Sequence, residues 1–215
     1  MTASAAPSAT DIEEIDHSVP ARDGASIAVR TYSRRGNREG PVMVMLHGGG
    51  WVLGGFDNEA LFCRQRAEML HGVAMNVEYR LAPGFKFPIP IYDCYDAVKW
   101  TAAHPRVHGG DLSGGFIVAG VSAGANMAAT ITHLARDEGM TPPITDCWLS
   151  IPSLLSPAVV PYQYKKDYLR MDPLRDEGLI YEKVLLEEYS VSTNLDLYPG
   201  LPHGFSSWWP TASFS

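Results

Sequence analysis

The most constraining feature of the sequence is the pentapeptide Gly120-Val121-Ser122-Ala123-Gly124, a G-x-S-x-G motif. The apolar residues 115–119 before it are typical of a short buried strand, and residues 125–136 after it repeat small and apolar side chains with helical spacing. A turn from strand to helix through this motif is so tight that the serine needs a glycine on either side. The motif is weak by itself, because a glycine-rich turn with Ser122 as a helix N-cap would have the same sequence.

The length and composition of the chain are those of one globular domain. Its 215 residues, 46% of them hydrophobic and 19% charged, are enough to bury a substantial core. We expect residues 11–215 to form a single domain and residues 1–10 to be a disordered lead. The net charge of −7 and the lack of a run of Lys and Arg argue against a nucleic-acid-binding surface. No stretch approaches the ~20 apolar residues that a membrane-spanning helix needs.

The N-terminus and the cysteines bear on cellular location. Residues 1–10 lack the basic start and apolar core of a secretory signal. Cys63, Cys94 and Cys147 are odd in number and widely spaced, and each lies in an apolar or helical segment without metal-ligand spacing. We therefore expect buried, reduced thiols, no metal site and a cytoplasmic protein.

Strand and helix patterns alternate along the chain. Residues 12–19 and 25–32 alternate apolar and polar side chains around Asp23-Gly24, which predicts an antiparallel hairpin. Further strands are predicted at 41–46, 73–79, 115–119, 144–151 and 194–198, and helices at 57–71 with Asp57 as N-cap, at 90–104 closed by Pro105, at 125–136 and at 172–189. This order predicts an α/β fold with a mostly parallel sheet, helices on both faces and an N-terminal antiparallel hairpin.

Ligands bind such sheets at the carboxyl ends of the strands, and four candidate segments fall there. They are His47–Trp51, Ser122, Asp172 and His203. A serine hydroxyl is a poor nucleophile unless a histidine removes its proton and a carboxylate orients that histidine. An oxyanion also needs amide donors already in place, and three successive glycines tolerate the positive φ angles that turn amides into a site. The other interpretation of the glycine run is a flexible loop.

Five motifs stand in order along the chain. They are HGGGW at His47–Trp51, YRLAP at Tyr79–Pro83, GVSAG at Gly120–Gly124, DPLRDEG at Asp172–Gly178 and PGLPHGF at Pro199–Phe205. Together they resemble the hormone-sensitive-lipase-like (arylacetamide-deacetylase-like) esterases of the α/β-hydrolases. The resemblance implies the α/β-hydrolase fold, with Ser122 as nucleophile, Asp172 as the acid and His203 as general base and then acid. It implies an oxyanion hole built from the amides of Gly48, Gly49, Gly50 and Ala123, a small-molecule ester as substrate and no cofactor.

Other residues are alternative candidates. Asp176 lies one helical turn after Asp172 and is a second possible acid, although an acidic residue in a first turn also stabilises the helix dipole. His47 is expected to brace the glycine loop by hydrogen bonds. Four aromatic residues either line an acyl or alcohol pocket or pack in the core: Trp51, Phe56, Trp208 and Trp209. Surface or capping positions are expected for His17, His71, His104, His108 and His133, and an exposed strand position for Asp196.

The chain departs from the family pattern between Ser122 and Asp172, which are only 50 positions apart. The family has a further apolar strand directly before the acid, and residues 162–171 are too polar to form it. Relatives also continue into a C-terminal helix beyond Ser215. We therefore expect an internal deletion, a shortened C-terminus, an incomplete fold, and exposed apolar surface that favours a homodimer.

The sequence thus predicts a serine hydrolase that cleaves carboxylic esters through an acyl-enzyme on Ser122. Short-acyl or aryl esters are expected, and lactones or other esters of secondary metabolism are open. The alternative is a non-catalytic ligand-binding protein or an inactive truncated variant on the same fold, like the plant gibberellin receptor, which resembles this family without its catalytic histidine. The presence of His203 argues against this alternative, and the missing strand argues for it.

Overall fold

The computed structural model describes residues 11–154, 162, 173–198 and 203, and only the backbone at residues 173 and 175. Residues 1–10, for which a disordered lead is expected, lie outside this description. The described strands are β1 (Ile12–Pro20), β2 (Ser26–Arg34), β3 (Val42–Leu46), β4 (Val73–Glu78), β5 (Phe116–Val121) and β6 (Asp146–Ser150). The described helices are α1 (Phe56–Leu70), α2 (Ile89–Ala103), α3 (Pro105–His108), α4 (Ala123–Asp137) and α5 (Pro173–Tyr189).

The six strands form one sheet in the order β1-β2-β4-β3-β5-β6. β1 pairs antiparallel with β2, and β2 pairs antiparallel with β4, so the N-terminal hairpin extends one side of the sheet. The remaining pairs, β4 with β3, β3 with β5 and β5 with β6, are parallel. The predicted α/β fold, a mostly parallel sheet with an N-terminal antiparallel hairpin, is therefore confirmed.

Helices cover both faces of the sheet, so its central strand is buried on both sides. All of β3 is buried. Val42, Val44 and Leu46 belong to the larger core cluster, which contains apolar side chains of α2 and α4. Met43 and Met45 belong to a second cluster with Ala60, Cys63 and Ala67 of α1. This two-sided burial explains why the strand is a continuous apolar run in the sequence. No helix in the described ranges is both long and apolar enough to cross a membrane.

The prediction of Asp57 as the cap of α1 is wrong. The N-cap is Gly55, whose N–H donates to the side chain of Asn58. The carboxylate of Glu78, at the end of β4, accepts a hydrogen bond from the N–H of Phe56 at 2.7 Å. A side chain distant in sequence therefore accepts the N–H that a local capping residue is expected to bind. Asp57 lies within the first turn of the helix. Pro105, predicted to close α2, is the first residue of the short helix α3.

Two further expectations near β6 and the end of the described chain are wrong. Residues 194–198 have no regular secondary structure, and Leu195, Leu197 and Tyr198 are exposed. An alternating pattern forms a strand only where a neighbouring strand pairs with it and one face is buried. Cys147 is exposed on β6, whereas Cys63 and Cys94 are buried as predicted.

The crossing of α4 over β3 fixes the position of the helix that follows the G-x-S-x-G motif. A Cβ atom on Gly124 would lie 2.1 Å from the carbonyl oxygen of Leu46. A Cβ atom on Gly120 would lie 2.3 Å from the carbonyl carbon of Gly124. Both distances are far below any real Cβ contact, so glycine is required at these positions by the close approach of backbone to backbone.

We expect Gly124→Ala to lower the unfolding midpoint by roughly 5–10 °C, because α4 must move away from β3, an overpacking that costs typically about 1–3 kcal/mol or more. The matched control is Gly84→Ala, since a Cβ there would meet only the Leu81 carbonyl oxygen at 3.6 Å. The control should unfold within about 2 °C of the parent protein. Circular dichroism melting measures both, and equal midpoints for the two variants would contradict the role of the close approach.

Candidate active site

Ser122 lies on a strained turn between β5 and α4. Its φ of 52° and ψ of −114° are unfavourable for a residue with a side chain, and such backbone strain costs about 1–3 kcal/mol. The Ser122 N–H donates to the carbonyl oxygen of Ser150 at the end of β6, and its own carbonyl accepts from the N–H of Asn126. Ser122 occupies the N-cap position of α4, but its hydroxyl makes no capping hydrogen bond. The hydroxyl is therefore not used by the helix.

The hydroxyl of Ser122 faces His203 instead. The distance from Ser122 Oγ to His203 Nε2 is 3.1 Å, a hydrogen bond between residues 81 positions apart. His203 is half-buried, and its other ring nitrogen, Nδ1, is buried without a hydrogen-bond partner among the described residues. Two of the predicted site residues are thus brought within reach of a proton transfer. The third, Asp172, lies outside the described residues.

The helix that follows Asp172 is α5, and its first turns are docked on the loop after β6. Glu177 is buried, and its carboxylate accepts a hydrogen bond from the N–H of Leu154. Gly178 lies against Pro152, where a Cβ would be 3.5 Å from the proline Cγ. Further along α5, the hydroxyl of Tyr181 is 2.9 Å from Nε2 of His133 on α4. The stretch of α5 from Glu177 to Tyr181 is therefore held against α4 and the loop after β6.

The same loop is tied to the nucleophile turn. Asn126, in the first turn of α4, donates from its side-chain amide to the carbonyl oxygen of Ser153 at 2.6 Å. Just before it, the Ser150 carbonyl accepts a hydrogen bond from the N–H of Ser122. Residues 150–154 thus connect the helix after Ser122 with the helix after Asp172.

The glycine loop, residues 47–51, follows β3 and approaches Ser122 directly. A Cβ on Gly48 would lie 3.2 Å from the carbonyl oxygen of Val121 and 3.6 Å from Cβ of Ser122. Gly49 and Gly50 have φ angles of 122° and 63°, which L side chains rarely adopt. The carbonyl of Gly49 accepts the N–H groups of Val52 and Leu53, which closes the turn. The loop is therefore an ordered turn beside the nucleophile and not a flexible connection.

His47 begins the loop and is buried beneath it. Its Nδ1 lies 2.8 Å from the carbonyl oxygen of Gly48, so Nδ1 carries the proton and donates it. Burial lowers the pKa of His47 below its ordinary value, so the ring is held neutral. The ring also stacks on Tyr79 with centroids 4.0 Å apart. The prediction that His47 braces the loop by hydrogen bonds is confirmed.

The remaining acidic and aromatic candidates lie in different surroundings. Asp176 is buried on the first turn of α5, and Asp196 is exposed but not in a strand. Trp51 is half-buried and packs against the larger core cluster, as the packing interpretation predicts. The ring of Phe56 lies beneath the guanidinium of Arg30, with 4.7 Å between the ring centroid and the guanidinium carbon. Trp208 and Trp209 lie outside the described residues.

The histidines expected at surface or capping positions mostly contact backbone or neighbouring side chains. His104 is exposed and bonds to the Trp100 carbonyl, and His71 is the C-cap of α1. His108 is buried, accepts the Gly110 N–H at Nδ1 and donates from Nε2 to the Thr101 carbonyl, so it caps backbone without being at the surface. His17 bonds to Thr31, and His133 to Tyr181. Within the described part of the chain, no group of three or more His, Cys, Asp and Glu side chains could hold a metal ion.

The sequence analysis missed three residues that shape the site. Asn126 and Glu177 fix the loop after β6, and Tyr79 contacts the glycine loop. Tyr79 and Glu177 each lie in one of the five motifs, which was the available signal for them. Asn126 falls one helical turn after Ser122, but nothing in its local pattern indicates a partner in the loop after β6.

Comparison with known proteins gives a consistent family. A family model described as the alpha/beta hydrolase fold matches residues 43–171. The carboxylesterase NlhH of Mycobacterium tuberculosis is 32% identical over 213 residues, which cover 77% of this chain and 66% of that protein. An AB hydrolase superfamily protein of Schizosaccharomyces pombe is 29% identical, with 96% of this chain and 77% of the relative covered. Its alignment spans 269 positions, more than the 215 residues of this chain, so the relative has internal residues that this chain lacks.

Solved structures agree with this assignment. A vibralactone cyclase has a TM-score of 0.86 at 26% identity, covering 95% of this chain and 76% of its own. A bacterial heroin esterase has a TM-score of 0.82 at 28% identity, covering 98% of this chain and 82% of its own. The fold, the five motifs and these esterase relatives agree. The chain therefore belongs to the α/β-hydrolase fold family and, within it, to the hormone-sensitive-lipase-like carboxylesterases, in a shortened form.

Proposed function

We propose that this carboxylesterase acts through a catalytic triad of Ser122, His203 and Asp172. The observation that supports the proposal is the 3.1 Å contact between Ser122 Oγ and His203 Nε2, made by a hydroxyl that the helix N-terminus does not use. Asp172 is the proposed partner of His203 Nδ1, a buried atom that makes no hydrogen bond to a described residue. A carboxylate there would hold the imidazole in the tautomer whose Nε2 accepts the serine proton.

In the proposed reaction, Ser122 Oγ attacks the ester carbonyl carbon while its proton passes to His203 Nε2. The oxyanion that forms accepts hydrogen bonds from an oxyanion hole made by the amides of Gly48, Gly49, Gly50 and Ala123, where one donor is worth roughly 3–4 kcal/mol. The tetrahedral intermediate expels the alcohol, which takes the proton from His203, and leaves an acyl-enzyme on Ser122. Water then attacks the acyl carbonyl by the same route and releases the acid.

The substrate we propose is a small-molecule ester with a short acyl or an aryl group. Relatives with more specific names include a versiconal hemiacetal acetate esterase of Dothistroma septosporum and an arylesterase of Saccharolobus solfataricus. The name of the first specifies an acetate ester. Acetate and other short-acyl esters and aryl esters are therefore the class with which to begin substrate tests, followed by lactones.

We further propose a cytoplasmic protein that associates as a homodimer. The buried, unpaired thiols of Cys63 and Cys94 suit a reducing compartment. Large apolar side chains are exposed on β6 and α5, including Trp148, Leu186 and Tyr189. Their burial between two copies would remove this surface from water. Sedimentation velocity distinguishes a dimer from a monomer, and a monomer at every concentration would contradict the dimer.

We expect an organophosphonate ester to form one covalent adduct on Ser122. Intact-protein mass spectrometry and peptide mapping measure it. Ser122→Ala should form no adduct, and Ser122→Ala or His203→Gln should lower kcat on p-nitrophenyl acetate by ~10⁵–10⁶-fold, as for other serine hydrolases. Both variants should keep the far-ultraviolet circular dichroism of the parent. An adduct on another residue, or turnover that survives Ser122→Ala, would overturn the assignment of the nucleophile. A folded parent protein without adduct would favour the ligand-binding alternative.

The identity of the acid is tested by comparing Asp172→Asn with Asp176→Asn. We expect Asp172→Asn to lower kcat by roughly 10³–10⁴-fold, because an amide favours the wrong histidine tautomer. Asp176→Asn should lower kcat by less than about tenfold, since a buried first-turn carboxylate acts on the helix rather than on the reaction. Rates are normalised to the folded fraction measured by circular dichroism. The opposite ranking would assign the acid to Asp176.

A further inference from the structure

The motif Tyr79–Pro83 is not accounted for by the proposed reaction, yet it runs along the glycine loop. The hydroxyl of Tyr79 donates a hydrogen bond of 2.8 Å to the carbonyl oxygen of His47. Three residues later, the N–H of Ala82 donates to the carbonyl oxygen of Trp51 at 2.9 Å. The first and last residues of the glycine loop are therefore both bonded to the segment that follows β4.

The bond from Tyr79 determines the orientation of a peptide plane. A trans peptide is planar, so its carbonyl and N–H point in opposite directions. When the Tyr79 hydroxyl fixes the His47 carbonyl, it also fixes the direction of the Gly48 N–H and the point from which Gly49 and Gly50 continue. A rotation of this peptide plane would turn the amides of the loop relative to Ser122, because the three residues that follow the His47 carbonyl are all glycines.

The contact is made in a dry environment. Tyr79 is 2% exposed and His47 is 0% exposed, so water does not replace the bond if it is lost. Burial raises the pKa of Tyr79 far above its ordinary value, so the hydroxyl keeps its proton and acts as the donor. The stacking of the two rings, with an interplanar angle of 10°, aligns the phenol beneath the loop.

The segment that carries Tyr79 is itself rigidly held. The next residue, Arg80, donates from its backbone N–H and its guanidinium to Asp93 of α2 at 2.6–3.0 Å. The Asp93 side chain is completely buried. The third guanidinium nitrogen, Nη1, donates to Asp23 in the turn of the hairpin. Tyr79 is therefore placed by α2 and by the hairpin, independently of the glycine loop.

We propose that Tyr79 is a positioning residue for the oxyanion hole, which it orients through the carbonyl of His47. The inference rests on the proposed function of the glycine loop. Three successive glycines have the greatest backbone freedom of any sequence, so a loop that must offer preformed donors needs external bonds at its ends. Tyr79 supplies the bond at the end closer to Ser122.

The test is Tyr79→Phe, which keeps the ring stacked on His47 and removes only the hydroxyl. We expect kcat to fall by about 10–100-fold while KM for the same ester changes little, because a loss of alignment of this kind acts on the transition state. The matched control is Tyr95→Phe. Tyr95 is also buried and also donates one 2.8 Å hydrogen bond, to Glu138, but it contacts neither Ser122 nor the glycine loop. Its kcat and KM should equal those of the parent.

A second measurement does not depend on turnover. Amide hydrogen exchange of the peptide that covers residues 47–53, followed by mass spectrometry, should be faster in Tyr79→Phe than in the parent and in Tyr95→Phe. Equal exchange in all three proteins would overturn the proposal, even if the parent had no esterase activity and the proposed function had failed. A lower unfolding temperature in Tyr79→Phe with kcat and exchange unchanged would likewise reduce Tyr79 to a structural residue.

Discussion

The close packing of the first turn of α4 on the end of β3 is the constraint on which the site depends. Gly124 touches the Leu46 carbonyl because β3 and β5 are adjacent and parallel, with Leu46 opposite Gly120 in the register. The chain therefore leaves both strands at the same level of the sheet. One exit carries the nucleophile and the other carries the glycine loop, so a single register places a hydroxyl beside a set of backbone amides.

The neighbouring strands complete this arrangement from either side. β4 is parallel to β3 with Val77 opposite Leu46, and the next residues along it reach Tyr79 beneath the glycine loop. β6 is parallel to β5 and ends at Ser150, whose carbonyl holds the nucleophile turn. Four consecutive strands thus each contribute one segment at their carboxyl ends. The two central ones carry the groups proposed for the chemistry, and the two outer ones hold those groups in place.

Much of this could be predicted from the sequence because periodicity reports burial. The buried strands, the helices and the turn around Ser122 follow from it, and the motifs identify His203. Hydrophobic periodicity does not show which groups hydrogen-bond with each other. The predicted cap of α1 is therefore wrong, and a strand is predicted at 194–198, where these residues pair with no described strand. The bond from Tyr79 to a main-chain carbonyl is similarly invisible, since any residue type at position 47 would offer the same acceptor.

The hydrogen bonds of residues 150–154 have a consequence for how a displacement of β6 would spread. Carbonyl groups of this segment accept from the N–H of Ser122 and from the side chain of Asn126, and the N–H of Leu154 donates to Glu177. One short segment therefore holds the nucleophile turn, the first turn of α4 and the start of α5. Because β6 is the last strand of the described sheet, a binding event that shifted this strand would move all three together. The geometry around Ser122 is thus coupled to a strand that takes no part in the proposed chemistry.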